Sequence, residues 1–186
     1  MPAKHRLRPL PSWPDRQLHW IERERSFSRW MHRATTRPWI VVALNLVSRL
    51  GDGWMWYAVI LALPWLDHTR GTTCAIRMFL VGAVNLLIYK IIKRCIARPR
   101  PYRGCPGIRA CGRALDEFSF PSGHAMHSVA FALILVSYYP AWGFVIWPFT
   151  VLVAVSRVVL GLHYPSDVIV GAAVGALTAA ISFNLL

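Results

Sequence analysis

Arg157, His163 and Asp167 stand in SRVVLGLHYPSD, a polar interruption between the apolar runs FTVLVAV and VIVGAAVGALTAA. A carboxylate four residues after a histidine can orient the imidazole and stabilise its cation, which is the support a nucleophilic histidine needs. Gly161 permits a turn, and Pro165 starts a helix whose first turn holds Asp167. A second group lies in FPSGHAMHS. Ser122 takes an N-cap position, Gly123 lets the backbone approach a ligand, and His124 falls in the first turn, where free amides attract an anion. His124 adds a proton that titrates near neutrality, and His127 shares its side of the helix as a supporting or packing histidine. The third group is KRCIARPRP. Lys93 and Arg94 end an apolar run and two prolines stop the helix, so Arg98 and Arg100 are thrown into a loop.

Each group has a plainer reading as a helix end. Cations anchor the end of a membrane helix, Pro-Ser-Gly starts one, and a lone histidine packs. Together they bring a lysine, arginines, a serine, a helix N-terminus, two histidines and an aspartate to one place, which no plainer reading predicts.

The elements that must hold them are apolar helices. Of the 186 residues, 55% are hydrophobic and nine are Trp, and the mean hydropathy of +0.40 is that of a membrane protein. The spans read as 54–66, 74–97, 125–139, 141–160 and 168–186. The stretch 39–50 is too short to span comfortably and ends at the turn signal RLGDG, so it reads as a short helix or as a sixth span. The expected fold is all-α, a polytopic bundle of five to six transmembrane helices. With two spans between them, the loops 98–121 and 160–165 open on the same membrane face.

The net charge of +13 is concentrated in 1–37 and 90–113, flanking apolar runs. That favours a membrane with anionic lipids over nucleic acid as partner. Residues 1–37 lack the apolar core of a cleavable signal. Leu18, Trp20, Ile21, Phe27, Trp30 and Met31 recur among Arg and Glu at roughly helical spacing, as in an amphipathic segment lying on the interface. The domain reading is therefore 1–37 for this segment and 38–186 for the bundle. Cys74 and Cys95 read as packing residues, while Cys105 and Cys111 could close a small loop in an oxidising compartment. Their spacing does not suit zinc.

The three motifs have a recognisable order and spacing. Lys93 precedes Arg100-Pro101 by six residues, Pro121-Ser122-Gly123-His124 follows, and Ser156-Arg157 precedes His163 by five residues, with three more before Asp167. This resembles the type 2 phosphatidic acid phosphatase (PAP2) superfamily, from Gly51 to the C-terminus. Counting from Lys90 to Arg98 gives seven intervening residues, so Lys93 and Arg100 are assigned and Arg98 is left as an auxiliary cation.

The resemblance implies a metal-independent, cofactor-free phosphatase or pyrophosphatase. In it His163, oriented by Asp167, attacks phosphorus, while His124 protonates the leaving oxygen and then activates water. Lys93, Arg100, Arg157, Ser122 and Gly123 hold the phosphoryl oxygens. No carboxylate cluster in the sequence suits a catalytic Mg²⁺.

A site at span ends expects a substrate anchored by an acyl or prenyl tail. By resemblance the candidates are undecaprenyl pyrophosphate, slightly favoured, and phosphatidylglycerophosphate or phosphatidate. A non-catalytic anionic-lipid binder or transporter is the alternative of another class, and it would not need two histidines with a partnered aspartate. Vanadium haloperoxidases share the anion pocket but are soluble. A bacterial cytoplasmic membrane is the expected location. Positive charge argues for a cytoplasmic site, and the habit of the family's bacterial lipid phosphatases tips the reading weakly outward.

Overall fold

The computed structural model describes residues 15–185. The expected amphipathic segment therefore lies partly outside the described residues, and its part from Asp15 is helical. The helices are α1 (Asp15–His32), α2 (Pro38–Leu50), α3 (Trp54–Leu66), α4 (His68–Ile96), the short α5 (Pro101–Gly104), α6 (Gly123–Tyr138), α7 (Gly143–Val159) and α8 (Pro165–Leu185). No strand occurs among the described residues, only one bridge between Pro99 and Phe118. The protein is all-α, as its sequence predicts.

Three segments are long and apolar enough to cross a bilayer: His68–Ile96, Pro140–Val159 and Pro165–Leu185. The 29 residues of α4 span about 44 Å at about 1.5 Å each, so its ends stand clear of a hydrocarbon core. α2, α3 and α6 are apolar but shorter. Large side chains such as Trp65 (88% exposed) and Phe144 (89%) point outward, the reverse of a water-soluble surface and the expected face toward lipid.

The expected short helix and short first span are two short apolar helices that follow one another across a tight break. Going down α2 and α3, Ser48 bonds Arg157, Gly51 abuts Val153, and Trp56 meets Phe149 with ring centroids 6.0 Å apart. The partners on α7 step back from its C-terminal end by about one turn each time, so the end of α2 and the first turn of α3 follow the side of α7. The break falls at Gly51-Asp52-Gly53. Gly53 has φ +117°, a conformation that L side chains rarely adopt. At the far end, the start of α4 passes so close that a Cβ on Gly71 would collide with the Leu63 carbonyl.

The core lies between α3, α4, α6 and α7, where Trp56 packs on Phe131 at 5.3 Å in one buried cluster with Met78, Leu135 and Ile134. α6 and α8 approach through bare backbone. A Cβ on Gly171 would strike the Ser122 carbonyl, and one on Gly175 the Met126 carbonyl. This Gly-x-x-x-Gly seam brings the first turns of both helices together, so that the Ser122 amide donates to the Asp167 carbonyl at 2.9 Å. Two motifs far apart in sequence are thereby joined.

α1 lies across the end of the bundle that carries the three motifs. Glu24 accepts from Arg98 at 2.6 Å and from the Ser166 amide at 2.8 Å. His32 meets the Val159 carbonyl at 2.9 Å and takes the Arg109 amide at 3.2 Å. The N-terminal helix and the site loops therefore share a face.

Candidate active site

The three motifs converge on one buried cluster. Arg100, Arg157, His163 and Asp167 are almost wholly buried, with Lys93 and His124 nearly so. The loop after α7 turns at Gly161 (φ +74°), and the amides of Leu162 and His163 both donate to the Arg157 carbonyl at 3.0 Å. That fold-back sets the His163 ring beside the end of α7. The C-terminal end of α4 delivers Lys93, and Arg100 reaches in from the start of α5.

Arg100 is the hub. Its Nη1 donates to the Leu162 carbonyl at 2.8 Å and stands 3.2 Å from Nε2 of His163. Its Nη2 donates to Oδ1 of Asp116 at 2.9 Å, and its Nε to the Asp116 carbonyl at 3.1 Å. Lys93 reaches both oxygens of the same carboxylate at 2.7 Å, and Tyr89 donates to Oδ2. A loop carboxylate thus lies in a ring of donors next to an imidazole nitrogen. Burial works to raise the Asp116 pKa, but the bonds from Lys93 and Tyr89 and the charge of Arg100 outweigh it and hold the carboxyl below its ordinary range.

His163 is pushed the other way. Burial, with the positive charges of Arg157, Arg100 and Lys93 bearing on it, holds its pKa well below the ordinary value. That favours the neutral ring, whose Nε2 faces the guanidinium of Arg100. Asp167 is less intimate with it than the sequence implies: Oδ2 is 3.7 Å from Nδ1, too far for a hydrogen bond, and Nδ1 has no partner among the described residues. Asp167 instead accepts the Tyr164 amide at 2.8 Å and Arg98 at 2.7 Å.

Arg98 is correspondingly not in the cation ring. It joins Asp167, Ser166 and Glu24 and lies over the Tyr164 ring at 4.1 Å, bracing the start of α8. Burial opposes its charge, but the Asp167 and Glu24 carboxylates leave it more basic than usual.

The α6 motif is placed as expected, with different local duties. Ser122 caps α6, its Oγ accepting the Ala125 amide at 3.4 Å. Gly123 makes room for Tyr89, whose ring would lie 2.8 Å from any Cβ there. His127 meets the carbonyls of Gly123 and Gly82 at 2.9 and 3.3 Å and serves packing. His124 pairs through Nε2 with Asp52. Arg157 bonds Ser48, while its buried Nε–H has no partner among the described residues. Cys105 and Cys111 are not joined; Cys105 accepts from Arg29 at 3.5 Å.

Tyr89, Asp116, Asp52, Ser48 and Glu24 were not singled out from the sequence. For the acids there was a signal, since the chain has only eight Asp and Glu against 21 Lys and Arg. Below the cluster a cavity of about 430 Å³ opens from His124 and Tyr89 between α3 and α4, walled by Trp56, Ile60, Phe79 and Leu86. The assembly can hold an anion by its oxygens, offer it an imidazole lone pair, and exchange a proton through a second imidazole.

The family model described as the PAP2 superfamily matches residues 74–186. Among curated proteins, the chain is 34% identical over 157 residues to the decaprenylphosphoryl-5-phosphoribose phosphatase of Mycobacterium tuberculosis, covering 78% of this chain and 80% of that one. It is 26% identical to the undecaprenyl-diphosphatase of Sulfolobus acidocaldarius, covering 75% and 67%. Among solved structures, the transmembrane PAP2-type phosphatidylglycerolphosphate phosphatase of Bacillus subtilis superposes with a TM-score of 0.68 at 25% identity, covering 86% of this chain and 84% of that one.

Proposed function

The chain belongs to the PAP2 superfamily, whose phosphatases hydrolyse phosphate esters, and we propose that this lipid phosphatase works through a phosphohistidine on His163. One observation carries the reading: a single guanidinium, that of Arg100, touches both the His163 imidazole and the Asp116 carboxylate that fills the anion position. An anionic binder or transporter has no use for that juxtaposition.

In this reading the substrate phosphoryl group takes the place of the Asp116 carboxylate. Lys93 and Arg100 then bind its oxygens, with the free Nε–H of Arg157 and the amides at the start of α6. Nε2 of His163 attacks phosphorus. The P–O bond to the leaving group breaks, and His124 gives that oxygen its proton. Water then attacks the phosphohistidine, His124 takes a proton from it, and inorganic phosphate leaves as the N–P bond breaks. Asp167 holds the loop of His163 through Tyr164 and Arg98 and lends its charge to the developing cation at close range. Lys93, Arg100 and Arg157 supply the positive charge for the transition state, so turnover should persist in EDTA.

A polyprenyl-tailed substrate suits the apolar cavity beneath His124. Undecaprenyl pyrophosphate remains the favoured headgroup, and the 34% identity to a decaprenylphosphoryl-5-phosphoribose phosphatase supports a second reading, a phosphomonoester borne on a prenyl-linked sugar. Phosphatidylglycerophosphate and phosphatidate are the glycerolipid alternatives. The division at residue 37 and the bacterial cytoplasmic membrane with anionic lipids belong to the same proposal. For sidedness we favour the cytoplasm over the outward preference of the sequence reading. α1 shares the site's face, and Arg23, Arg25, Arg29 and Arg33 add there to the loop cations.

The deciding experiment is phosphate release by purified protein in detergent with EDTA, comparing all four lipids side by side. The prenyl substrates should lead. Release from the glycerolipids alone would replace the substrate reading, and release from none of the four would remove the enzyme reading. A C-terminal alkaline phosphatase fusion should be active, since that end lies opposite the site.

A further inference from the structure

We propose that Asp52, from the break between α2 and α3, is the positioning residue for His124 in this reaction. The inference rests on the phosphohistidine reading given above. Asp52 lies outside the stretch matched by the family model, 74–186, and has no part in the three motifs.

The break between α2 and α3 is built to deliver this carboxylate. Gly51 packs against Val153, where a Cβ would come within 3.0 Å, and Gly53 holds φ +117°. The two glycines let the chain stop one helix and start the next around a single acid. That acid is 16% exposed, its imidazole partner 7%. A carboxylate so placed inside an apolar bundle is costly unless paired, and its only partner among the described residues is Nε2 of His124. The other charged and titratable groups bearing on His124 are Arg157 from α7 and His127 from its own helix. Asp52 is thus the one negative charge that works against burial and Arg157 at this ring.

The contact dictates the atoms. With Nε2–H donated to Asp52, the proton that moves is the second one, carried on Nδ1 of the imidazolium, and Nδ1 has no hydrogen-bond partner among the described residues. In the first half-reaction Nδ1–H passes its proton to the leaving oxygen as the P–O bond breaks and the bond from His163 to phosphorus forms. His124 is left neutral, still bonded to Asp52 through Nε2–H. In the second half, Nδ1 accepts a proton from water as the water oxygen bonds phosphorus and the N–P bond breaks. The Asp52 carboxylate keeps its contact with Nε2 throughout, fixing the tautomer and stabilising the imidazolium that carries the Nδ1 proton.

A residue that acts by keeping an acid protonated matters in proportion to the leaving group's need for a proton. The test is kcat/KM, which reports formation of the phosphoenzyme, for two substrates of equal chain length: an alkyl phosphate, and the same chain carried on a nitrophenyl phosphate. Asp52→Asn should lose about 100-fold on the alkyl ester, the low end for general acid catalysis, and less than about threefold on the nitrophenyl ester. Asp52→Glu should recover part of the alkyl activity. His124→Ala should show the same selective loss, and adding Asp52→Asn to it should cost little more.

An equal loss on both esters, or no loss on either, would overturn the proposal. A melting profile and gel filtration in detergent guard against misfolding, and a misfolded Asn variant passes the test to the Glu variant, where full loss on both esters overturns it too. Wild-type turnover with a dead His163→Ala variant would leave the phosphohistidine reading standing in every one of these cases.

Discussion

Nη1 of Arg100 stands 3.2 Å from Nε2 of His163 while its Nη2 holds the Asp116 carboxylate at 2.9 Å. One planar cation therefore sets the distance between the proposed nucleophile and the anion it is to attack. Arg100→Ala should lower kcat/KM by about 10²- to 10³-fold, the cost of losing an oxyanion donor. Arg100→Lys should recover little, because a single ammonium cannot bridge the two. Steady-state kinetics on the lipid substrate check both; near-wild-type activity in the lysine variant would refute the bridging role.

Asp116 occupies Lys93 and Arg100, the donors proposed for the phosphoryl group, so in this reading it competes with every anion that enters. Asp116→Asn should tighten inhibition by orthovanadate by about tenfold, equivalent to about 1.4 kcal/mol. The competition has a defined pH range. Because the folded carboxyl titrates below its ordinary value, its ion pairs are intact above the usual carboxylate range. They are lost only as pH falls through the depressed value. Wild-type inhibition should thus show no tightening from this group between pH 8 and pH 5. Inhibition constants measured across that range, in both proteins, test the point; weaker inhibition of the Asn variant would mean that Asp116 positions Lys93 and Arg100 instead.

Much of this cluster is legible in the sequence, because covalent spacing around a helix end is a local property. Gly161 and Pro165 determine how His163 leaves α7 and how Asp167 enters α8, and Pro121-Ser122-Gly123 sets the start of α6. Lys93 and Arg100 follow from a helix stopped by prolines. What the sequence does not show is which loop residue fills a pocket once the helices pack. Asp116 reaches Lys93 from 23 residues away and Asp52 reaches His124 from 72, and neither has a periodicity to announce it. Trp39–Leu50 is a related case. Its length gives no comfortable crossing alone, and only packing shows that its end and the start of Trp54–Leu66 meet α7 in succession. The amphipathic pattern of α1 points to an interface, but the hydrogen bonds of Glu24 decide which end of the bundle it covers.

The contact between α6 and α8 also bears on the site. Gly171 faces the Ser122 carbonyl, two residues before His124, and Gly175 faces that of Met126, one turn deeper. A methyl group at either position forces the helices apart and should cost about 1–3 kcal/mol of stability. Gly171→Ala should in addition cut activity, because it separates the first turns that carry His124 and Asp167. Gly175→Ala should spare activity at temperatures where it remains folded. Thermal melting in detergent together with kcat at low temperature separates the two, and equal activity loss in both would contradict the assignment of the seam's upper end to the site.

The central claim is that the imidazole of His163 bonds covalently to phosphorus. Brief exposure of the protein to lipid substrate labelled with ³²P in the terminal phosphate, followed by denaturation in base, should leave label on the peptide containing His163. The label should be lost in acid, as an N–P bond requires, and His163→Ala should be inactive and unlabelled. Turnover in the His163→Ala protein, or label carried on another residue, would contradict the account.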